Sequence, residues 1–131
     1  MDKKILNKKA KELGIKGENL AVSHLIKSGY LILKRNERIG FDEIDIIALG
    51  SDKTLVFIEV KTAMIKEVGH LFMPEDQMSG RKMDRIARAC QKFSVAHPEL
   101  INDDHGWRID LIAIAFRNEN ELISLHHYEN I

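Results

Sequence analysis

The sequence predicts one mixed α/β domain, a central β-sheet flanked by helices, with the element order α-β-β-β-α-β-β. Its 131 residues are enough for a single domain that buries its own core. Short apolar runs typical of strands alternate with two longer segments of helical spacing. No repeat, low-complexity tract or linker divides the chain. We therefore expect residues 1–131 to form one domain, of which residues 1–6 are a flexible basic N-terminus.

The first predicted element is a helix over about residues 7–27, where apolar residues recur at helical spacing and Ser28-Gly29 provides the stop. Two glycines, Gly14 and Gly17, lie inside this segment. Each costs about 1 kcal/mol in a helix interior relative to alanine. They indicate that another element approaches the helix closely, or that the helix starts late, near Gly17.

Five strands and a second helix complete the predicted domain. The strands are expected at about residues 30–38, 43–49, 54–62, 107–116 and 121–127. Because residues 111–116 are continuously apolar, we expect the fourth strand to be central in the sheet. The second helix spans about residues 80–96 with Ser79 as its cap, and residues 64–79 before it are expected to form a long loop.

Composition excludes several classes of protein. No apolar stretch approaches the roughly 20 residues of a membrane span, and the lysine-rich start lacks the apolar region of a signal peptide. The one cysteine, Cys90, excludes a disulfide within the chain and fits a reducing compartment. We expect a cytoplasmic protein that does not associate with membranes.

Charge is distributed unevenly, although the formal net charge is zero. Lysines crowd the first 16 residues, acidic residues gather between positions 37 and 59, and a second basic set lies along the second helix. The members of that second set that we expect to contact a nucleic-acid backbone are Arg81, Lys82, Arg85 and Arg88. Acidic and basic regions of this kind suit a metal site that acts on a polyanion, but solvated helix faces explain each basic run about as well.

Three charged residues lie inside strand segments that are otherwise apolar: Asp45, Glu59 and Lys61. An ionised carboxylate buried without a partner costs several kcal/mol or more. Glu59 and Lys61 share one face of their strand because successive side chains alternate. If residues 50–53 form the turn of a hairpin, Asp45 falls opposite Glu59, and two acids and an amine meet at one point.

This combination suits metal-dependent cleavage of a phosphodiester bond. Asp45 and Glu59 have the oxygen ligands that Mg²⁺ prefers, and the Val60 carbonyl could complete the set. Lys61 fits an amine that positions water or stabilises transition-state charge. Two other interpretations remain open from the residues alone, namely a buried ion pair without catalysis and a charged strand face that is simply solvated. On the first helix, Glu18 lies at the border of the apolar face, where it could reach a metal site or remain a surface residue.

At these positions the chain resembles the YraN-like bacterial proteins. The resemblance extends from about Gly14 to Leu125 and is carried by these segments, in order: Gly17-Glu18 with Ala21, Gly29-Tyr30, Arg35-Asn36, Glu43 to Ala48, Val56 to Lys61, Lys82, and Arg108 to Ile112. That family is similar to the restriction-endonuclease-like, PD-(D/E)xK nucleases and to archaeal Holliday-junction resolvases. The resemblance implies a restriction-endonuclease-like fold, a metal site formed by Glu18, Asp45 and Glu59, and Lys61 as the catalytic lysine.

The function expected from the sequence is therefore a Mg²⁺- or Mn²⁺-dependent endonuclease that acts on DNA, with branched or structured DNA favoured by the likeness to resolvases. The alternative is a non-catalytic nucleic-acid-binding or assembly module that keeps the nuclease fold. A homodimer is also expected, since nucleases that cut both strands often pair. Four residues are candidates for supporting the site: Glu43, Gln77, Arg108 and Asp110. Arg108 and Asp110 share one face of their strand, where they could support Lys61 or pair with each other.

Overall fold

The computed structural model describes residues 2–65 and 78–131. The elements in chain order are helix α1 (Lys3–Lys27), strands β1 (Leu31–Ile39), β2 (Asp42–Leu49) and β3 (Leu55–Met64), helix α2 (Gly80–Ala96), a short 3-10 helix (Pro98–Leu100), and strands β4 (Trp107–Asn118) and β5 (Glu121–Tyr128). This order and the mixed α/β class confirm the prediction from the sequence. Most of the predicted loop, residues 66–77 with Gln77, lies outside the described residues.

The five strands form one sheet in the order β1-β2-β3-β4-β5. Three neighbouring pairs are antiparallel, and β3 and β4 are parallel. Parallel neighbours need a crossover connection, and α2 lies within that connection. Strand β4 is paired on both sides and its residues 109–116 are buried, so the prediction of a central strand is confirmed.

The sheet carries a hydrophobic core on each face. Beneath α1, the helix residues Ala21 and Leu25 pack on the sheet residues Ile46, Ala48, Val56, Ile58, Ile112, Ile114 and Phe116. Beneath α2, the helix residues Ile86, Ala89, Cys90 and Phe93 pack on Ile44, Ile47, Leu55, Phe57 and Ile109. The period of 3.6 in each helix and of two along β3 and β4 places these sets on facing surfaces. The sheet is therefore buried on both faces at its centre.

Helix α1 begins earlier than predicted. Residues 3–6, which the sequence analysis assigns to a flexible N-terminus, form its first turn. The Asp2 side chain accepts a hydrogen bond from the Lys4 N–H at 3.0 Å and caps this turn. The close approach expected at Gly17 is confirmed, because a Cβ there would lie 2.1 Å from Oγ1 of Thr62. Any larger residue at Gly17 would push α1 away from β3.

Helix α2 has the predicted bounds. The Ser79 side chain accepts a hydrogen bond from the Lys82 N–H, and the helix ends ahead of Pro98, since the residue before proline disfavours helical geometry. Cys90 is buried, and burial raises the pKa of its thiol to about 12. In the described ranges, no helix has the length and apolar character needed to cross a membrane.

Candidate active site

A tight hairpin between β2 and β3 brings two carboxylates together. Its turn places Lys53 in the left-handed region, with φ of 68°. The two strands pair in register up to Ile46 opposite Ile58. One residue further along that register, Asp45 and Glu59 are level with each other. The juxtaposition expected from the sequence is therefore present in the structure.

Asp45 is held in place by the backbone of β3. The Val60 N–H donates a hydrogen bond of 2.8 Å to Asp45 Oδ2. Burial raises the pKa of the Asp45 carboxyl above its ordinary value, and the charges of Glu18 and Glu43 add to this effect. The Val60 hydrogen bond and Lys61 oppose the rise without cancelling it. Val60 thus enters the site through its N–H, while a ligand role for its carbonyl stays a prediction.

Glu59 is nearly inaccessible, with 6% of its surface exposed. Burial and the neighbouring charge of Asp45 raise its pKa from 4.5 to about 7. Two amines partly offset this, because Lys61 Nζ lies 4.0 Å and Lys82 Nζ 3.9 Å from Glu59 Oε2. These distances are too long for hydrogen bonds. The carboxylate is therefore surrounded by charge but not firmly bonded to it.

The position of Lys82 differs from the expectation that it belongs with the exposed basic row of α2. Its ammonium group contacts Glu59 from the helix side, while Lys61 contacts the same oxygen from β3. Burial lowers the pKa of Lys82, and the nearby Lys61 lowers it further. Lys82 lies three residues after the cap Ser79, in the first turn of α2. This position distinguishes it in the sequence from the arginines further along the helix, and α2 packs on the strand that carries Glu59.

Glu18, the third predicted ligand, lies near the pair but has partners of its own. Its Oε1 accepts hydrogen bonds of 3.1 Å from Arg35 Nε and from Asn36 Nδ2. Asn36 and Asp45 lie at the same level of β1 and β2, between the pairs Arg35–Ile46 and Glu37–Ile44. The charge of Glu18 therefore acts on Asp45. Over residues 2–65 and 78–131, no three His, Cys, Asp or Glu side chains are arranged to hold a metal ion.

The remaining basic residues of the predicted set form an exposed row on α2. Arg81, Arg85 and Arg88 are exposed and recur at spacings of four and three, which places them along one side of the helix. Together with Ser79, Lys82 and Asp84 they line a cavity of about 430 Å³. Because Lys82 belongs to both groups, the basic row leads directly to Glu59.

Two of the predicted supporting residues lie elsewhere. Asp110 is paired in register with Ile58, whose side chain belongs to the core under α1. Neighbouring residues of a strand point to opposite faces, so Asp110 lies on the face opposite to Glu59. The expectation that Arg108 and Asp110 support Lys61 is wrong, and the alternative that they pair with each other is correct, at 3.0 Å. Glu43 is exposed and acts on Asp45 through its charge.

The chemistry of the donor set fits a hard divalent cation. Asp45 and Glu59 are oxygen donors, and their raised pKa values show that two negative charges are held close together in a desolvated setting. A cation between them would relieve that repulsion, and oxygen ligands are those that Mg²⁺ and Mn²⁺ favour. Fold and site together define an α/β domain with paired carboxylates and lysines at one end of a three-stranded meander.

The comparisons with known proteins identify the family of the chain. The model of the uncharacterised protein family UPF0102 matches residues 17–114, and the chain belongs to that family. The YraN-like resemblance is thereby confirmed. The matched range includes Glu18, Asp45, Glu59, Lys61 and Lys82.

Individual relatives match over nearly the whole chain. A UPF0102 protein of Caldicellulosiruptor bescii is 38% identical over 116 residues, which cover 88% of this chain and 92% of the relative. One of Clostridium acetobutylicum is 38% identical over 125 residues, which cover 95% and 94%. Among solved structures, Pyrococcus furiosus SfsA in complex with Ca²⁺ matches with a TM-score of 0.44 and 18% identity, over 92% of this chain and 63% of that one.

Proposed function

We propose that this protein is a Mg²⁺- or Mn²⁺-dependent endonuclease that hydrolyses phosphodiester bonds in DNA. The observation that carries the proposal is the Asp45–Glu59 pair, in which both carboxyl pKa values are raised and Lys61 lies 4.0 Å from Glu59. A chain that needed only a stable hairpin would place apolar residues here, because buried charges are costly. A functional site accepts this cost when the charges act on a substrate.

Each residue has a definite part in the proposed reaction. Asp45 and Glu59 would hold the cation, which when bound neutralises phosphate charge and lowers the pKa of water. Attack by water forms a new P–O bond, the bond to one sugar oxygen breaks, and a proton from the water ends on that leaving oxygen. Lys61 would orient the water or stabilise the negative charge that develops on the phosphoryl oxygens. The exposed row Arg81, Arg85 and Arg88 would hold the flanking backbone phosphates.

The test is a panel of linear, circular, flapped and four-way DNA, incubated with Mg²⁺, Mn²⁺ or EDTA. We expect cleavage that needs metal and that falls by about 10³-fold or more in Asp45→Asn and Lys61→Met. Asp103→Asn, a change of the same chemistry at an exposed turn residue, is the matched control. Wild-type cleavage rates in purified, folded Asp45→Asn protein would contradict the assignment.

The second candidate is a non-catalytic nucleic-acid-binding or assembly module. One observation favours it: Glu18 is already bonded to Arg35 and Asn36, and so leaves two carboxylates rather than three for a cation. This candidate predicts salt-sensitive DNA binding that survives Asp45→Asn and drops with Arg85→Ala plus Arg88→Ala. Calorimetric titration of Mn²⁺ separates the two candidates. Only the nuclease candidate requires that Mn²⁺ binding release or absorb heat in the wild-type protein and that this heat be lost in Asp45→Asn.

A further inference from the structure

We propose that Lys82 is a second catalytic lysine, which contacts the phosphoryl group under attack together with Lys61. The inference rests on the proposed nuclease function and deepens it. Lys82 comes from α2 and Lys61 from β3, yet both ammonium groups approach the same atom, Glu59 Oε2, at 3.9 and 4.0 Å. Two different elements of the fold, α2 and β3, thus each place an amine near Glu59 Oε2.

Compensating the charge of the carboxylate pair does not by itself require both lysines to approach one oxygen. Lys61 on the same strand already lies beside Glu59, and the Lys82 ammonium approaches the same oxygen. A second ammonium close to the first adds repulsion between like charges in a partly desolvated place. Such a pair becomes favourable when an anion with several oxygens lies between the two amines. A phosphodiester is an anion of this kind.

The local charge agrees with a phosphoryl substrate. With both carboxyl groups ionised, Asp45 and Glu59 carry two negative charges, and Lys61 and Lys82 with their protons carry two positive ones, so the four groups then balance. A divalent cation held by the two carboxylates would leave an excess of two positive charges. That excess matches the charge of a phosphodiester at the point of attack, where a second negative charge develops on the phosphoryl oxygens. With only one lysine the match would be incomplete.

Lys82 also differs from its neighbours on α2 in how it is held. Arg81, Arg85 and Arg88 are exposed, whereas the Lys82 side chain retains only 26% of its exposure. Its backbone N–H is fixed by Ser79 Oγ at 3.3 Å. The three arginines are therefore suited to backbone phosphates along the substrate, while Lys82 is directed into the carboxylate pair.

The experiment compares Lys82→Met with Lys92→Met, the same change at an exposed lysine further along α2. Single-turnover cleavage is measured at saturating DNA in Mn²⁺. DNA affinity is measured separately in the Asp45→Asn background, where no cleavage occurs. We expect Lys82→Met to lower the saturated rate by about 100-fold and to change Kd by less than about threefold. Lys82→Arg keeps the positive charge and should restore most of the rate.

Arg85→Met provides the contrasting pattern. We expect it to raise Kd and to lower the salt dependence of binding by about one unit of slope, as loss of one phosphate contact does. A saturated rate for Lys82→Met equal to that of Lys92→Met overturns the assignment of Lys82 while leaving the nuclease in place. A lower rate that comes with a lower melting temperature and no rescue by arginine also overturns it. Absence of cleavage by wild type on every DNA overturns the nuclease and, with it, the role of Lys82.

Discussion

Two buried carboxylates in this sheet, Glu59 and Asp110, differ in how closely basic side chains approach them. Asp110 is fully buried and is bonded to Arg108 Nε at 3.0 Å, to His127 Nε2 at 2.8 Å and to the Asn130 N–H at 2.9 Å. Glu59 is buried to a similar degree, and within residues 2–65 and 78–131 the cationic groups near it are two amines at 3.9 and 4.0 Å. Asp110 is thus bonded directly to its cationic partner Arg108, whereas the amines near Glu59 lie beyond hydrogen-bond distance.

The pKa values of the two groups follow from this difference. Burial alone would raise the pKa of Asp110, but the hydrogen bonds from His127, Arg108 and the Asn130 backbone outweigh it and hold the pKa below its ordinary value. For Glu59, burial and the charge of Asp45 prevail and the pKa rises to about 7. The same carboxyl chemistry therefore has a lowered pKa where its partners bond it and a raised pKa where burial and a second carboxylate prevail.

Around Asp110 the bonds extend into a network that ties the two ends of the chain together. Arg108 also donates to the Tyr30 hydroxyl at 2.8 Å, and His127 Nδ1 lies 3.1 Å from His24 Nε2 of α1. Helix α1, the turn after it, β4 and β5 all contribute to this network. Its removal should affect the whole domain, whereas a change at Glu59 should affect the site.

The largest expected effect on stability is at Asp110. Asp110→Ala leaves Arg108 and His127 without their buried partner, so we expect the free energy of unfolding to fall by about 3 kcal/mol. Urea denaturation measures this, with Asp103→Ala as the exposed control. Asp110→Asn, which keeps one oxygen acceptor, should lose less. A loss below about 1 kcal/mol for Asp110→Ala would show that the network contributes little.

At Glu59 we expect a smaller change in the free energy of unfolding. Glu59→Gln should stabilise the protein, and the gain should depend on pH. In the folded protein Glu59 keeps its proton up to a pH of about 7, while the unfolded chain releases it near the ordinary value of 4.5. The ionised form is therefore disfavoured by folding, and its cost to stability develops as the pH rises from 4.5 to 7. Glu59→Gln lacks this cost at any pH.

Melting experiments in EDTA test this expectation. The unfolding free energy of Glu59→Gln relative to wild type should rise by on the order of 2 kcal/mol between pH 5 and pH 8. Asp110 does not interfere, because its carboxyl is ionised across this range in both states. A constant difference between the two proteins from pH 5 to pH 8 would falsify the description of Glu59 as an under-compensated carboxylate.

The hairpin that carries Asp45 and Glu59 could be predicted from the sequence because the information is local. The turn between residues 50 and 53 and the alternation of β2 and β3 are enough to set Asp45 level with Glu59. The bounds of α2 follow from its cap and from Pro98. The early start of α1 follows from Asp2, whose side chain caps the first turn. These features depend on neighbours within a few residues.

What the sequence could not predict depends on how distant elements pack. The face of Asp110 follows from the parallel register that pairs it with Ile58. That register is set by tertiary packing across a long crossover and not by any local signal. The contact of Lys82 with Glu59 likewise depends on the packing of α2 on the sheet.

Glu18 is intermediate in character between Asp110 and Glu59, and the smallest effect on stability is expected when its ion pair is broken. It is bonded to Arg35 and Asn36, as Asp110 is to its partners, yet its charge acts on Asp45 in the site. Arg35→Ala breaks a partly exposed ion pair, so the unfolding free energy should fall by less than about 1 kcal/mol. It also releases Glu18 and removes a positive charge near Asp45. Mn²⁺ should therefore bind about threefold more tightly.

Calorimetry with Lys34→Ala, the same loss of charge at an exposed position of β1, separates the release of Glu18 from the loss of a positive charge. Equal gains in affinity in both variants would mean that bulk charge alone acts, and that Glu18 stays apart from the metal as Asp110 does.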